Sequence, residues 1–184
     1  MRILKLKSIL SGISFLLISL PLFSQSFSQD SSATQKQKQI HSYPEIKGYV
    51  GLVSPIYMFS NDGNTLNGKH NFVIGNPWGI NIWKSKRFGF SFEFTPFLKI
   101  DKNNSKMSNF VFHPGILYRL GHEFTFIGRV AYETSGRYGF TPIINKVIKR
   151  TPTNTFFIAV LLPARFGNGQ AVSIATALQI GIGF

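Results

Sequence analysis

The 184-residue sequence has no cysteine. That excludes disulfides and the lipid-modified cysteine of a lipoprotein; it fits an oxidising compartment without proving one. Acidic residues are scarce, 7 against 20 Lys and Arg. The few histidines, His41, His70, His113 and His122, are scattered and show no metal-ligand spacing. No glycine loop of the phosphate-cradling kind occurs: Gly48, Gly51, Gly181 and Gly183 fall in strand-like segments, where glycine marks close approach of backbone or neighbours. Beyond Phe23 no apolar run approaches the roughly 20 residues of a membrane helix. The mean hydropathy is +0.08, far below that of a helical membrane protein and typical of a chain whose two faces alternate.

The chain begins with a basic stretch, Arg2, Lys5 and Lys7, then an apolar run from Ile9 to about Phe23 broken by Ser11, Gly12, Ser14, Ser19 and Pro21. A polar stretch from Ser24 to Gln29 follows, with Ser26 and Ser28 as the small residues before a cut. This is the layout of a secretory signal peptide, residues 1–28. Without Arg2, Lys5 and Lys7 the 20 basic residues become 17 against 7 acidic, a net charge of +10. Residues 29–45 read as a flexible polar leader, and 46–184 as one domain.

From Ile46 the chain reads as eight strands: Ile46–Ser60, His70–Trp83, Arg87–Ile100, Met107–Leu120, Glu123–Thr134, Tyr138–Arg150, Asn154–Phe166 and Ala171–Phe184. The breaks carry turn residues, such as Asn61-Asp62-Gly63-Asn64 and Gly167-Asn168-Gly169. In the last strand Val172, Ile174, Leu178, Ile180, Ile182 and Phe184 alternate with small or polar residues, and only Thr176 interrupts the apolar set. In the third, Phe88, Phe90, Phe92 and Phe94 oppose Gly89, Ser91, Glu93 and Thr95. A period of two means strands. Segments of 12 to 15 residues exceed the 5 or 6 usual in soluble sheets and suit tilted membrane strands. The sixth segment contains Pro142 and alternates poorly; the even strand number of single-chain bacterial barrels is what includes it. The expected fold is therefore all-β: a single antiparallel up-and-down transmembrane β-barrel of eight strands, bulky face toward lipid, located in the outer membrane.

Several strings, among them Asn81-Ile82-Trp83-Lys84-Ser85, His113-Pro114-Gly115, Arg119-Leu120-Gly121-His122 and the run from Glu133 to Pro142, resemble an uncharacterised family of small outer-membrane β-barrels of Gram-negative bacteria. The resemblance spans most of the chain from Gly48 onward. It implies a barrel and its location, and no chemistry.

An eight-stranded barrel has an interior just wide enough for side chains to fill. The expected interior set is Glu93, His113, Arg119, Arg129, Glu133 and Arg165. Pairing places Glu93 opposite His113 or Gly115, and His113 opposite Arg129 or Ala131. A mid-barrel network of Glu93, His113, Arg129 and Glu133 follows, structural or a gate. Trp78, Trp83, Tyr118 and Tyr132 are assigned to interfacial girdles, although Trp83 falls on the inward phase. Basic clusters at strand ends, such as Lys84-Lys86-Arg87 and Lys99-Lys102-Lys106, point to lipid and lipopolysaccharide phosphates rather than nucleic acid.

The leading reading is a monomeric, non-enzymatic outer-membrane barrel with a filled polar lumen and a structural or surface-binding role. It has no cofactor, metal or catalytic residue. The barrel-assembly machinery is the expected partner of Ala171–Phe184. Three alternatives stand beside it: a narrow pore or small-solute transporter, a lipid-A-modifying barrel enzyme, and a soluble ligand-binding barrel.

Overall fold

The computed structural model describes residues 42–102 and 104–184. The signal-peptide reading, and nearly all of the leader, lie outside the described residues. Every regular element within them is a strand: β1 (Glu45–Ser60), β2 (Thr65–Leu66), β3 (Phe72–Gly75), β4 (Trp78–Trp83), β5 (Phe88–Ile100), β6 (Ser105–Gly121), β7 (Phe124–Glu133), β8 (Tyr138–Arg150), β9 (Thr155–Leu161), β10 (Ala164–Phe166) and β11 (Ser173–Gly183). All pairings are antiparallel, and β11 returns to pair with β1 from Tyr49↔Gly183 to Ser60↔Ser173. The sheet therefore closes into a ring of eight staves, with β3 and β4 forming one stave and β9 and β10 another. Closure removes the unpaired edges that an open sheet would expose.

Each stave runs between two ends of the ring. The start of β1, the end of β11 and the tight β4–β5, β6–β7 and β8–β9 connections lie at one end, here the termini end. The β1–β3, β5–β6, β7–β8 and β10–β11 connections lie at the other, the loop end. Six of the eight expected segments match one unbroken stave each with small shifts of boundary, and the seventh matches the stave of β9 and β10. The second differs in two ways. Its stave is broken at Asn76-Pro77, and the loop before it folds back as β2, pairing Thr65 and Leu66 with Met58 and Tyr57. Pro77 has no N–H for the ladder; its carbonyl still accepts from Gly51 N (2.8 Å), and Asn76 Nδ2 donates to Gly51 O (2.8 Å). The β9–β10 break, at Leu162-Pro163, has the same cause.

The sixth segment is a full strand, Tyr138–Arg150. Gly139, Thr141 and Ile143 are buried inward while Tyr138, Phe140 and Ile144 are exposed. Pro142 sits within it on the outer phase, facing Gly128 of β7. Its carbonyl accepts from Leu162 N (3.0 Å) on the other side.

The two faces separate as the alternation requires. Phe88, Phe90, Phe92, Ile158, Ile180 and Ile182 are exposed on the outside. The inside is more apolar than a purely polar lumen. Val53, Trp83, Leu117, Ile127, Ile143 and Leu161 form a buried cluster together with small residues such as Ala159 and Ala177. Trp83 is 5% exposed and belongs to this interior, whereas Trp78 is 45% exposed. The girdle assignment of Trp83 is therefore wrong: its inward phase prevails, and the indole fills lumen space.

Candidate functional site

The network begins on adjacent staves. Glu93 of β5 faces His113 of β6 directly, the first of the two expected registers. Arg129 of β7 faces Gly115, not His113, so it reaches Glu93 diagonally. Space for that reach comes from glycine. A Cβ on Gly115 would lie 2.7 Å from Arg129 Cγ, and one on Gly79 2.7 Å from Tyr49 Cζ.

Glu93 is 2% exposed and Arg129 4%. Arg129 Nη1 stands 2.7 Å from Glu93 Oε2, which also accepts from the Tyr49 hydroxyl (2.9 Å). Arg129 Nη2 donates to the Tyr49 oxygen (2.8 Å) and to Ser91 Oγ (3.0 Å). Glu93 Oε1 accepts from Thr95 Oγ1 (3.2 Å) and meets His113 Nδ1 (3.1 Å). On the far side of the ring His113 Nε2 lies 3.1 Å from Arg165 Nη2. A guanidinium only donates, so Nε2 accepts and the Nδ1 proton points to Glu93.

Arg165 carries the network to the loop end. Its Nε lies 2.6 Å from Glu133 Oε1, and its Nη1 donates to Thr141 Oγ1 (3.1 Å). Glu133 Oε2 accepts from Asn109 Nδ2 (2.5 Å) and Ser135 Oγ (2.9 Å). Glu133 is thus joined to Glu93 through Arg165 and His113, not placed beside it in one layer. Arg137 Nη2 ties the same end together, donating to the carbonyls of Arg165 and Ala171 and to Ser173 Oγ.

Arg119 stands apart from the rest. It lies toward the termini end, its guanidinium 3.9 Å from the centre of the Trp83 ring and 3.6 Å from Glu45 Oε2. The expected set therefore divides into five connected residues and one separate cation. Tyr49, Asn109 and Arg137 were not foreseen, and Ser91 and Thr95, placed on one face with Glu93, were not named as members of its network. Tyr49 was findable: it alternates with exposed Val50 and Leu52 in β1. Arg137 lies in a loop, where a period of two carries no information.

Among the described residues, Asn81 Oδ1, Arg129 Nε and Arg137 Nε are buried without a hydrogen-bond partner. No group of three or more His, Asp or Glu among the described residues could hold a metal ion.

The lumen is not filled throughout. Between the Arg129 level and the termini end lies an open cavity of about 380 Å³, lined by Trp83, Leu117, Arg119, Arg129 and Phe157 among others. Toward the loop end a void of about 40 Å³ lies between Glu93, His113 and Arg165. The expected filled lumen is corrected to a plug with a vestibule. Long side chains converge in the plug, whereas the short side chains of Asn81, Thr125 and Ala159, from three separate staves, are among those that line the vestibule.

No family model matches the chain, and no curated protein does. Two solved structures of designed proteins are similar in shape. One, from work titled "De novo design of transmembrane beta-barrels", has a TM-score of 0.43 at 10% identity, covering 78% of this chain and 97% of its own. The other, the NMR structure of the de novo designed TMB2.3, has a TM-score of 0.41 at 14% identity, covering 77% and 94%. At these values the likeness is loose, and the ring of eight staves rests on the strand pairing itself.

Proposed function

We propose that the protein is a non-enzymatic outer-membrane β-barrel, plugged at mid-height by the Glu93–Arg129–His113 network, with a structural or surface-binding role in the cell envelope. The observation that carries this reading is the outer face. Large apolar side chains cover it around the whole ring, from Val50 and Leu52 on β1 to Leu178 and Ile180 on β11. Soluble monomers rarely expose contiguous apolar patches beyond a few hundred Å². Full burial of such a side chain is worth about 1.5–3 kcal/mol; these are about half exposed, so hydrocarbon would recover roughly half of that from each.

Aromatic placement supports the same reading. Strand register joins Trp78, Phe94, Phe112, Tyr132, Tyr138 and Phe166 into one row, one residue per stave across six staves. Trp78 stacks on Phe94 (5.0 Å between centroids) and Phe94 on Phe112 (4.9 Å). Because barrel strands are tilted, this row runs obliquely over the outer face, from mid-stave at Trp78 to the loop end at Tyr138, and what it adds is large aromatic area on the side that faces lipid. At the loop end Lys99 and Lys106 face each other across β5 and β6, with Lys102 in the connecting loop. Paired like charges are unfavourable in isolation and favour lipopolysaccharide phosphates as partners. β11, which closes the ring, is the segment offered to the barrel-assembly machinery.

The test combines fractionation with electrical recording. The protein should partition with outer membranes and give no steady conductance in planar bilayers. Recovery as a soluble periplasmic protein would overturn the membrane reading. Discrete, long-lived openings would replace the plugged barrel with a narrow pore.

A further inference from the structure

The vestibule is a concave site that the plug and the outer face do not use. Arg129 lies at its floor, Trp83 and Phe157 provide apolar wall, and Lys47, Arg119 and Arg150 stand toward its mouth. Among the described residues no Asp or Glu lines it. Glu45, outside the lining, is shared between Lys47 (2.9 Å) and Arg119 (3.6 Å), while Arg150 pairs with Glu123 and Arg129 with Glu93, so the four lining cations meet three carboxylates, none of them in the lining. The surrounding rim adds Lys84, Lys86 and Arg87 on the β4–β5 connection and Lys146 and Lys149 on β8. A cationic concavity with low-dielectric walls concentrates anions. Its volume of about 380 Å³ lies in the range of small-molecule sites. Arg119 already stacks over the Trp83 indole, which is 5% exposed, so the phosphate-matching fork covers that ring and the half-buried Phe157 supplies the open apolar wall.

We propose that the vestibule binds a small aryl phosphate or aryl carboxylate, the anion held by Arg119 with Lys47 and the ring held against Phe157, close to the indole that Arg119 covers. Binding is a property of the lumen and does not depend on what surrounds the barrel. The chain has two tryptophans, so Trp78→Phe leaves Trp83 as the sole reporter. In that background, in non-ionic detergent, phenyl phosphate should change Trp83 emission saturably, with half-saturation below about 1 mM, the weak end of specific affinity. Inorganic phosphate should bind about tenfold more weakly, the ring contributing the difference of about 1.4 kcal/mol. Arg119→Gln should weaken phenyl phosphate about fivefold or more. Asn145→Phe, which fills the cavity from β8, should abolish the response while the thermal midpoint shows the barrel still folded. No saturation by about 10 mM, far above the expected range, would overturn the proposal. So would an unchanged response in Asn145→Phe, or a midpoint that tracks detergent concentration. Equal affinity for inorganic phosphate would remove the ring from the site.

Discussion

Each oxygen of Glu93 has two partners: Oε2 meets Arg129 and Tyr49, and Oε1 meets Thr95 and His113. That saturation is what allows a carboxylate to sit at 2% exposure. Removing either member of the ion pair leaves the other charged and buried, which costs about 3–5 kcal/mol. Arg129→Met and Glu93→Gln should each lower the thermal midpoint in detergent. The double variant should recover much of the loss, because neither charge then remains. A double variant as unstable as the sum of the singles would show that the two residues act independently. At the surface, Arg150 holds the Glu123 carboxyl below its ordinary range through a hydrogen bond (2.5 Å). A depressed carboxyl stabilises the fold above its unfolded pKa of about 4.3 and loses that contribution as pH falls through the folded value. The pair is half exposed, so the difference between wild type and Glu123→Gln should be about 1 kcal/mol or less at pH 7. In thermal melts across pH it should shrink as pH falls below about 4.3 and vanish once the carboxyl is protonated in the folded state as well. The charged members of the plug could be read from the sequence, since a charge on the inward phase of a strand needs a partner. Their connectivity could not. Whether Arg129 meets His113 or passes it depends on a register fixed only when the turn at Gly121 is built.

That turn shows what an element requires of its residues. His122 and Glu123 both have positive φ, 49° and 67°, the geometry of a two-residue hairpin loop that favours Asn and Gly. His122→Asn should therefore raise the thermal midpoint, by an amount worth about 0.5–1 kcal/mol. A midpoint that falls would mean that the imidazole has a role beyond the turn. Gly115 on β6 marks the opposite limit, a position where side-chain bulk is excluded first by the Gly128 carbonyl and then by Arg129. Gly115→Val should displace the guanidinium and destabilise the barrel by about 1–3 kcal/mol, read from the same melts. Strand existence was legible from alternation in most segments. The sixth was legible only through ring parity, because Pro142 reads as a strand breaker when its outward phase is not known. The broken staves at Asn76-Pro77 and Leu162-Pro163 were missed for the converse reason. A proline interrupts the ladder without ending the stave, and composition alone does not separate the two outcomes. β2 was missed because two residues cannot display a period.

At the scale of the whole molecule, the ring sorts side chains by phase. Outward positions form an apolar sleeve with an aromatic row; inward positions form a plug toward the loop end and an open vestibule toward the termini. The sleeve was legible from the sequence because most staves repeat it. The vestibule was not, because lumen filling depends on which lengths of side chain meet across the ring. The two tryptophans report the two faces separately. In single-tryptophan variants reconstituted with brominated lipids, Trp78 emission should be strongly quenched and Trp83 emission should be protected. Quenching of Trp83 with Trp78 spared, or quenching of neither, would contradict a barrel that meets hydrocarbon with its outer face.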